Sequence, residues 1–230
     1  MNKKLIIITG ASSGIGAAIA TVFSEAGYPV GLFARNKEAM EKLSLPNSIC
    51  LSVDVTDINA MKEAILLAES QFGKVDCLIN NAGFAKLGDF PEINHNDNVR
   101  MISLNILGVI NGFEAILSGM RERKSGTIIN ISSIADRNAR PNGATYAATK
   151  AAVKSLSESL RMANAKYGIR ICNLAPAKIK TPLLEQVQPN TDDNQIISAN
   201  NLATAALWIY QQPQAICVRD LVFAPTYYEP

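Results

Sequence analysis

The 230-residue chain has little charge: 18% of its residues are Asp, Glu, Lys or Arg, and 22 basic side chains face 20 acidic ones for a net +2. That balance leaves no basic excess for nucleic-acid phosphates. At 48% hydrophobic residues the chain is far from the polar, highly charged composition of disordered proteins. It has a single histidine, His95, so no His cluster can hold a metal. Its four cysteines, Cys50, Cys77, Cys172 and Cys217, lack metal-ligand spacing and are too sparse for a disulfide framework. They read as reduced thiols, and no metal site is expected. No stretch approaches the ~18 apolar residues of a membrane span. The opening apolar run Leu5-Ile6-Ile7-Ile8 stops at Thr9-Gly10, short of the ~7–15 residues of a signal core. Internal repeats and low-complexity linkers are also missing. These absences lead to the expectation of one cytoplasmic globular domain spanning residues 1–230, with neither nucleic acid nor membrane as partner.

What is present is an alternation of short apolar runs and helical periodicities. Leu5 to Ile8, Val30 to Ala34, Ile49 to Val53, Val75 to Asn80, Gly126 to Ile131, Ile169 to Leu174 and Leu221 to Ala224 read as strands. Helices are expected over Gly14 to Ala26, around Met61, Ile65, Ala68 and Phe72, and over Val99 to Met120, Tyr146 to Tyr167 and Asn201 to Tyr210. The strands are continuously apolar rather than alternating, as in a parallel sheet covered on both faces. The fold class is therefore α/β: a single-domain Rossmann fold, with a doubly wound parallel sheet of about seven strands. The polar stretch Gln186 to Gln195 reads as a mobile surface loop near the binding crevice.

The first strand runs into Thr9-Gly10-Ala11-Ser12-Ser13-Gly14-Ile15-Gly16 and then a helix. Glycines there let the backbone approach a phosphate, and the helix start presents unpaired N–H groups. The spacing differs from G-x-G-x-x-G, and no Gly-Lys-Ser/Thr follows, which disfavours a triphosphate loop. An acid about 20 residues on would hold a ribose 2′-hydroxyl and select NAD. The second strand instead ends Ala34-Arg35-Asn36-Lys37, and a guanidinium suits a 2′-phosphate. The expected cofactor is NADP(H).

Tyr146 and Lys150 stand four apart at the start of a strong helix, on one face. A nearby ammonium favours phenolate and is expected to lower the tyrosine pKa toward a useful range. Ser133 closes the fifth strand, where a hydroxyl can donate to a substrate oxygen as charge develops on it.

Taken together, these motifs make the chain resemble the short-chain dehydrogenase/reductase family from Thr9 to about Pro182, and more loosely to the end. The resemblance makes Gly10, Ser12, Ser13, Gly14, Ile15 and Gly16 the cofactor loop. It makes Asp54, followed by Val55, the acid beside the adenine, and Asn81, Ala82 and Gly83 the turn beside the cofactor. Ser133, Tyr146 and Lys150 match the family's catalytic residues, and Asn105 its helix asparagine that organises a proton-relay water. Pro176, Ile179 and Thr181 would face the nicotinamide end, and Tyr146 and Lys150 its ribose. Arg35 falls where NADP-preferring members carry a basic residue. The family implies hydride transfer between nicotinamide and a small ketone or secondary alcohol, with 3-oxoacyl and 3-hydroxy-acid compounds as possible substrates, and a homodimer or homotetramer built through the helices of Asn105 and Tyr146. A catalytically silent nicotinamide sensor on the same fold is the rival reading. Its usual mark is loss of the tyrosine or the lysine, and both are present.

The chain departs from the family in three places. Pro176-Ala177 replaces Pro-Gly, which suggests an altered loop path, since alanine resists positive φ. Asp136-Arg137-Asn138-Ala139-Arg140 is polar where a glycine is common, and reads either as a solvated loop or as a place where Arg137 or Arg140 meets an anionic substrate. The C-terminal end lacks the family's glycine-rich sequence. His95 is expected at an exposed helix start, and Trp208 in the core or at a subunit interface.

Overall fold

The computed structural model describes residues 3–228. The main strands are β1 (Leu5–Thr9), β2 (Val30–Ala34), β3 (Ser48–Ser52), β4 (Val75–Asn80), β5 (Gly126–Ile131) and β6 (Ile169–Pro176); two short strands, β7 (Ile179–Lys180) and β8 (Ile197–Ser198), precede β9 (Asp220–Phe223). Seven of them form one sheet in the order β3-β2-β1-β4-β5-β6-β9, and every pairing is parallel. The order reverses between β1 and β4. In such sheets the crevice at the carboxyl ends of these two strands is the usual ligand position.

Strand alternation builds a core on each face. From β1, Ile6 and Ile8 pack with Ile19, Phe23, Leu202 and Ile209, carried by α1 (Gly14–Glu25) and α8 (Ala199–Gln211). Leu5 and Ile7 face the other way, against Met61, Ile65, Phe113 and Val153. That side is covered by α3 (Ile58–Phe72), α5 (Gly108–Glu122) and α6 (Ala144–Asn164). The seven expected strands and five expected helices are all present, within a few residues.

The differences have local causes. The short α2 (Lys37–Glu41) starts where the Asn36 side chain accepts from the Ala39 N–H, too brief for periodicity to reveal. The long helix begins at His95, not Val99, because α4 (His95–Ile102) is capped by Asn94 ahead of its first apolar position. Between α4 and α5 one wide turn, Ser103–Leu107, is π-helical. The whole stretch, His95–Glu122, is long and apolar enough to cross a membrane by composition. Met101, Val109, Phe113, Ile116 and Met120 are nonetheless buried against the protein, as in a helix that covers a sheet. The expected loop Gln186 to Gln195 is largely present: α7 (Pro182–Val187) ends inside it and a short 3₁₀ turn, Asp193–Gln195, closes it, while β7 and β8 pair on either side of it. Ala177 keeps an ordinary backbone conformation and donates its N–H to Phe223 O, so the missing glycine causes no strain. Trp208 is 52% exposed, which removes it from the core.

Candidate active site

The glycine turn joins β1 to α1 at the switch point. Gly10 and Gly14 have φ of +66° and +54°, conformations that glycine adopts without the penalty of a side chain. A Cβ on Gly10 would lie 2.8 Å from Ala82 Cα, and one on Gly16 would lie 2.3 Å from Gly10 O. The turn is tied to the end of β4. Asn81 Nδ2 donates to Thr9 O at 2.9 Å, and the Asn81 and Ala82 N–H groups donate to Thr9 Oγ1. Helices α3, α4, α7 and α8 each have an N-terminal N–H capped by a side chain. At α1 the cap residue Ser13 makes no such bond. The first turn of α1 therefore offers free donors and the positive end of its dipole to an anion.

A cavity of about 390 Å³ lies in front of these donors. Gly10, Ser12, Ser13, Gly14 and Ile15 line one side of it, and Asn81, Ala82 and Gly83 another. Arg35, Asp54 and Val55 lie at the β2 end, and Tyr146, Lys150 and Thr181 at the opposite one. Arg35 is exposed at this mouth. Asp54 accepts from the N–H and hydroxyl of Thr56, which hold its carboxyl below the usual range. Gly16 does not line the cavity; it is buried beneath the turn. Dinucleotide chemistry fits this shape: glycine-lined donors for a pyrophosphate, polar groups at one end, and proton-bearing groups at the other.

At that second end, α6 brings Tyr146 and Lys150 beside Ser133, the residue that follows Ser132 at the end of β5. Ser133 Oγ accepts from the Ala135 N–H at 3.2 Å, which leaves its own proton free to donate. Lys150 is buried and its Nζ donates to Ile131 O at 2.9 Å. Burial lowers its pKa to about 8, partly opposed by the Asp136 charge. The Lys150 Nζ lies 5.8 Å from the Tyr146 ring centroid. The phenol differs from expectation: burial raises its pKa, and the offsetting influences come from the Ser133 hydroxyl and the Arg140 charge.

Asn105 sits on the π turn and is buried. Its side chain accepts from Phe84 N at 2.8 Å and donates to Phe84 O at 2.9 Å, and it also donates to Thr149 Oγ1 at 3.0 Å. The Thr149 hydroxyl donates in turn to Tyr146 O at 2.7 Å. One asparagine thus fastens the segment after Gly83 and the first turn of α6 to the same wide turn. A second buried chain, Asn80 Nδ2 to Asn130 Oδ1 and Asn130 Nδ2 to Ser157 Oγ, binds β4, β5 and α6 together.

Tyr146 also lines an adjoining cavity of about 140 Å³, and Ser133 lines this one alone. Pro176 and Ile179, expected beside the cofactor, line this second cavity and not the first; Ile179 is held there by pairing with Ile197. Within the Asp136 to Arg140 segment, Arg137 and Ala139 are exposed but Asp136 is not solvated. The Asp136 carboxylate is fully buried and accepts from Ser132 Oγ, Asn173 Nδ2 and Arg137. Arg137 also pairs with Asp220 at 2.8 Å, which removes it as an anion receptor. Arg100, Phe84, Lys178 and Tyr228 line the cavities without having been singled out by sequence. Arg100 stacks on Phe84 at 4.0 Å, a contact that no local pattern signals.

The family model for short chain dehydrogenases matches residues 4–192. The chain belongs to the short-chain dehydrogenase/reductase family, and is an oxidoreductase of that kind. It is 36% identical to an uncharacterized oxidoreductase of Listeria innocua over 98% of both chains. Among solved structures it resembles an alcohol dehydrogenase from Thermococcus sibiricus complexed with 5-hydroxy-NADP (TM-score 0.90, 25% identity, 99% of both chains). It also resembles the closed form of a serine dehydrogenase complexed with NADP+ (TM-score 0.91, 26% identity, 98% of this chain and 96% of the other). A third is a 3-ketoacyl-(acyl-carrier-protein) reductase from Brucella melitensis complexed with NADH (TM-score 0.88, 28% identity, 95% and 96% covered).

Proposed function

We propose that the protein is an NADP(H)-dependent reductase or dehydrogenase that interconverts a small ketone and its secondary alcohol. The observation that carries this reading is the meeting of Ser133, Tyr146 and Lys150 where a glycine-cradled cavity joins a smaller one. In the first, the α1 turn at Gly10, Ser12, Ser13, Gly14 and Ile15 would hold the pyrophosphate, with Gly16 leaving room beneath. Asp54 and Val55 would hold the adenine; Asn81, Ala82 and Gly83 would support the ribose side. Thr181, with Pro176 and Ile179 behind, would border the nicotinamide. When bound, the cofactor supplies or accepts the hydride.

Ser133 would donate a hydrogen bond to the substrate oxygen. Tyr146 would give that oxygen its proton during reduction and recover it during oxidation. A phenol raised above its usual pKa stays protonated at neutral pH, which favours the reductive direction. Lys150 would hold the nicotinamide ribose and keep positive charge beside the phenol. Asn105 would keep its wide turn, and with it the proton path from Lys150, in place. The reaction balances as ketone, NADPH and one proton giving alcohol and NADP+.

Arg35 carries the NADP(H) preference. Charge-assisted bonds to a 2′-phosphate are worth ~1.5–3 kcal/mol, so Arg35→Asp is expected to lower the NADPH-to-NADH ratio of kcat/KM by about 10- to 100-fold or more. An unchanged ratio would show that the preference resides elsewhere.

The assembly we propose is a cytoplasmic homodimer or homotetramer. Val99, Ile102 and Leu107 on the long helix and Met162 on α6 are exposed apolar groups on the two helices named for contact. Light scattering should give a mass of two or four chains, and a monomer at working concentration contradicts this assembly.

A further inference from the structure

The smaller cavity, which opens from Ser133 and Tyr146, is walled mainly by apolar groups such as Leu87, Ile134, Leu184 and Val187. Among the described residues, its charged lining residues are Arg140 and Lys178, and no carboxylate lines it. Lys178 Nζ donates to the neutral Gln195 Oε1 at 2.8 Å, so its charge is not cancelled there. Arg140 donates through Nη2 to the Tyr228 hydroxyl, and its Nε is buried with no hydrogen-bond partner. Among the described residues, no carboxylate forms an ion pair with Arg140.

An unpaired donor on a desolvated guanidinium costs free energy. Three residues earlier on the same segment, Arg137 has two carboxylate partners, Asp136 and Asp220. Among the described residues, the fold therefore neutralises the arginine that staples it together and gives no carboxylate to the one that lines the cavity. A guanidinium fork matches a carboxylate in shape and charge.

We infer that the substrate is a short oxo acid or hydroxy acid whose carboxylate is received by Arg140 while its reacting oxygen lies between Ser133 and Tyr146. This rests on the oxidoreductase reading and narrows its substrate class. Lys178 strengthens the positive potential at the carboxylate end. The cavity of about 140 Å³ has room for a short carbon chain between Ser133 and Arg140. Arg140 is a binding residue in this scheme and takes no part in proton or hydride transfer.

The test uses the full chain with NADPH and a series of two- to six-carbon 2-, 3- and 4-oxo acids, each beside its methyl ester. For at least one chain length the acid should exceed its ester in kcat/KM by about 100-fold, the scale expected for a desolvated charge pair. Arg140→Met should bring that ratio near one, Arg140→Lys should restore part of it, and Lys178→Met should lower it by about three- to tenfold. Melting temperature and NADPH fluorescence identify variants that fold and bind cofactor. A second readout is independent of turnover: with NADP+ present, short monocarboxylates should raise the melting temperature of the unaltered protein, their amides should not, and Arg140→Met should abolish the shift. Turnover of the esters in preference to every acid overturns the inference and leaves the oxidoreductase reading standing. An acid preference that survives in folded Arg140→Met also overturns it. An Arg140-dependent carboxylate shift without turnover of any compound would leave Arg140 as a carboxylate-binding residue but overturn the inference that the carboxylate belongs to a substrate. Absence of both acid turnover and the shift overturns the inference.

Discussion

Tyr146→Phe is expected to lower kcat by about 10³-fold, within the range of one lost general acid or base. Of Ser133, Tyr146 and Lys150, Tyr146 alone lines both cavities. NADPH affinity should fall much less, since one neutral hydrogen bond contributes ~1 kcal/mol, about fivefold in Kd. Fluorescence titration and steady-state rates on the same preparation separate the two effects. Full turnover in Y146F would sink the assignment.

The pH dependence follows from the same groups. Tyr146 is raised by burial and stays protonated at neutral pH. Lys150, lowered to about 8, loses its charge first as pH rises. The reductive rate should therefore fall through about pH 8 in the absence of other limits. Stability has the opposite slope from this group. The folded-state pKa of about 8 lies below the ordinary value of 10.5, so between these two values the unfolded chain holds more protons. The contribution of Lys150 to stability therefore rises with pH across that window, and below it the full cost of burying the charge remains.

The second large effect is expected at Asp136→Ala. Its carboxylate joins Ser132 at the end of β5, Asn173 on β6 and Arg137, and through Arg137 reaches Asp220 on β9. Removing it leaves buried donors on Ser132 and Asn173 without that partner. Breaking a buried charged network costs ~3–5 kcal/mol. For a domain of this size each kcal/mol is worth roughly 2–4 °C, so the melting temperature should fall by about 6–20 °C. Ser133 follows the released residue directly, so turnover should suffer even where the protein stays folded.

The isosteric Asp136→Asn separates charge from shape. The Asp136 charge raises the pKa values of both Tyr146 and Lys150. Its loss should move the alkaline limb of the rate profile to lower pH. A D136N enzyme with normal melting and an unmoved profile would limit the network to structure.

The architecture was readable because its strands are buried on both faces. Continuous apolar runs such as Leu5-Ile6-Ile7-Ile8 mark such strands wherever they lie, and all seven strands of the main sheet were expected. The turn at Gly10, Gly14 and Gly16 was equally readable, since positive φ at Gly10 and Gly14 and the backbone packed against Gly10 and Gly16 call for glycine there. The polar segments were not. Asp136 looked solvated because Ser132, Arg137 and Asn173 can be taken for surface residues until β5 and β6 pair side by side. The strands β7 and β8 that flank the Gln186 stretch were missed because they are two residues each and carry no period of their own.

The sequence by itself determined the class of the protein. Local spacing suffices for a glycine cradle, a Tyr-Lys pair one helical turn apart, and a serine at a strand end. The tertiary structure decided what each group experiences. Burial raises Tyr146, and Ile131 O takes the Lys150 ammonium. Arg137 gains two carboxylates, whereas among the described residues Arg140 has no carboxylate partner and donates to the phenol of Tyr228, 88 residues away in the chain. Desolvation and charge pairing depend on groups brought together across the sheet. Two arginines three residues apart therefore come to have different partners.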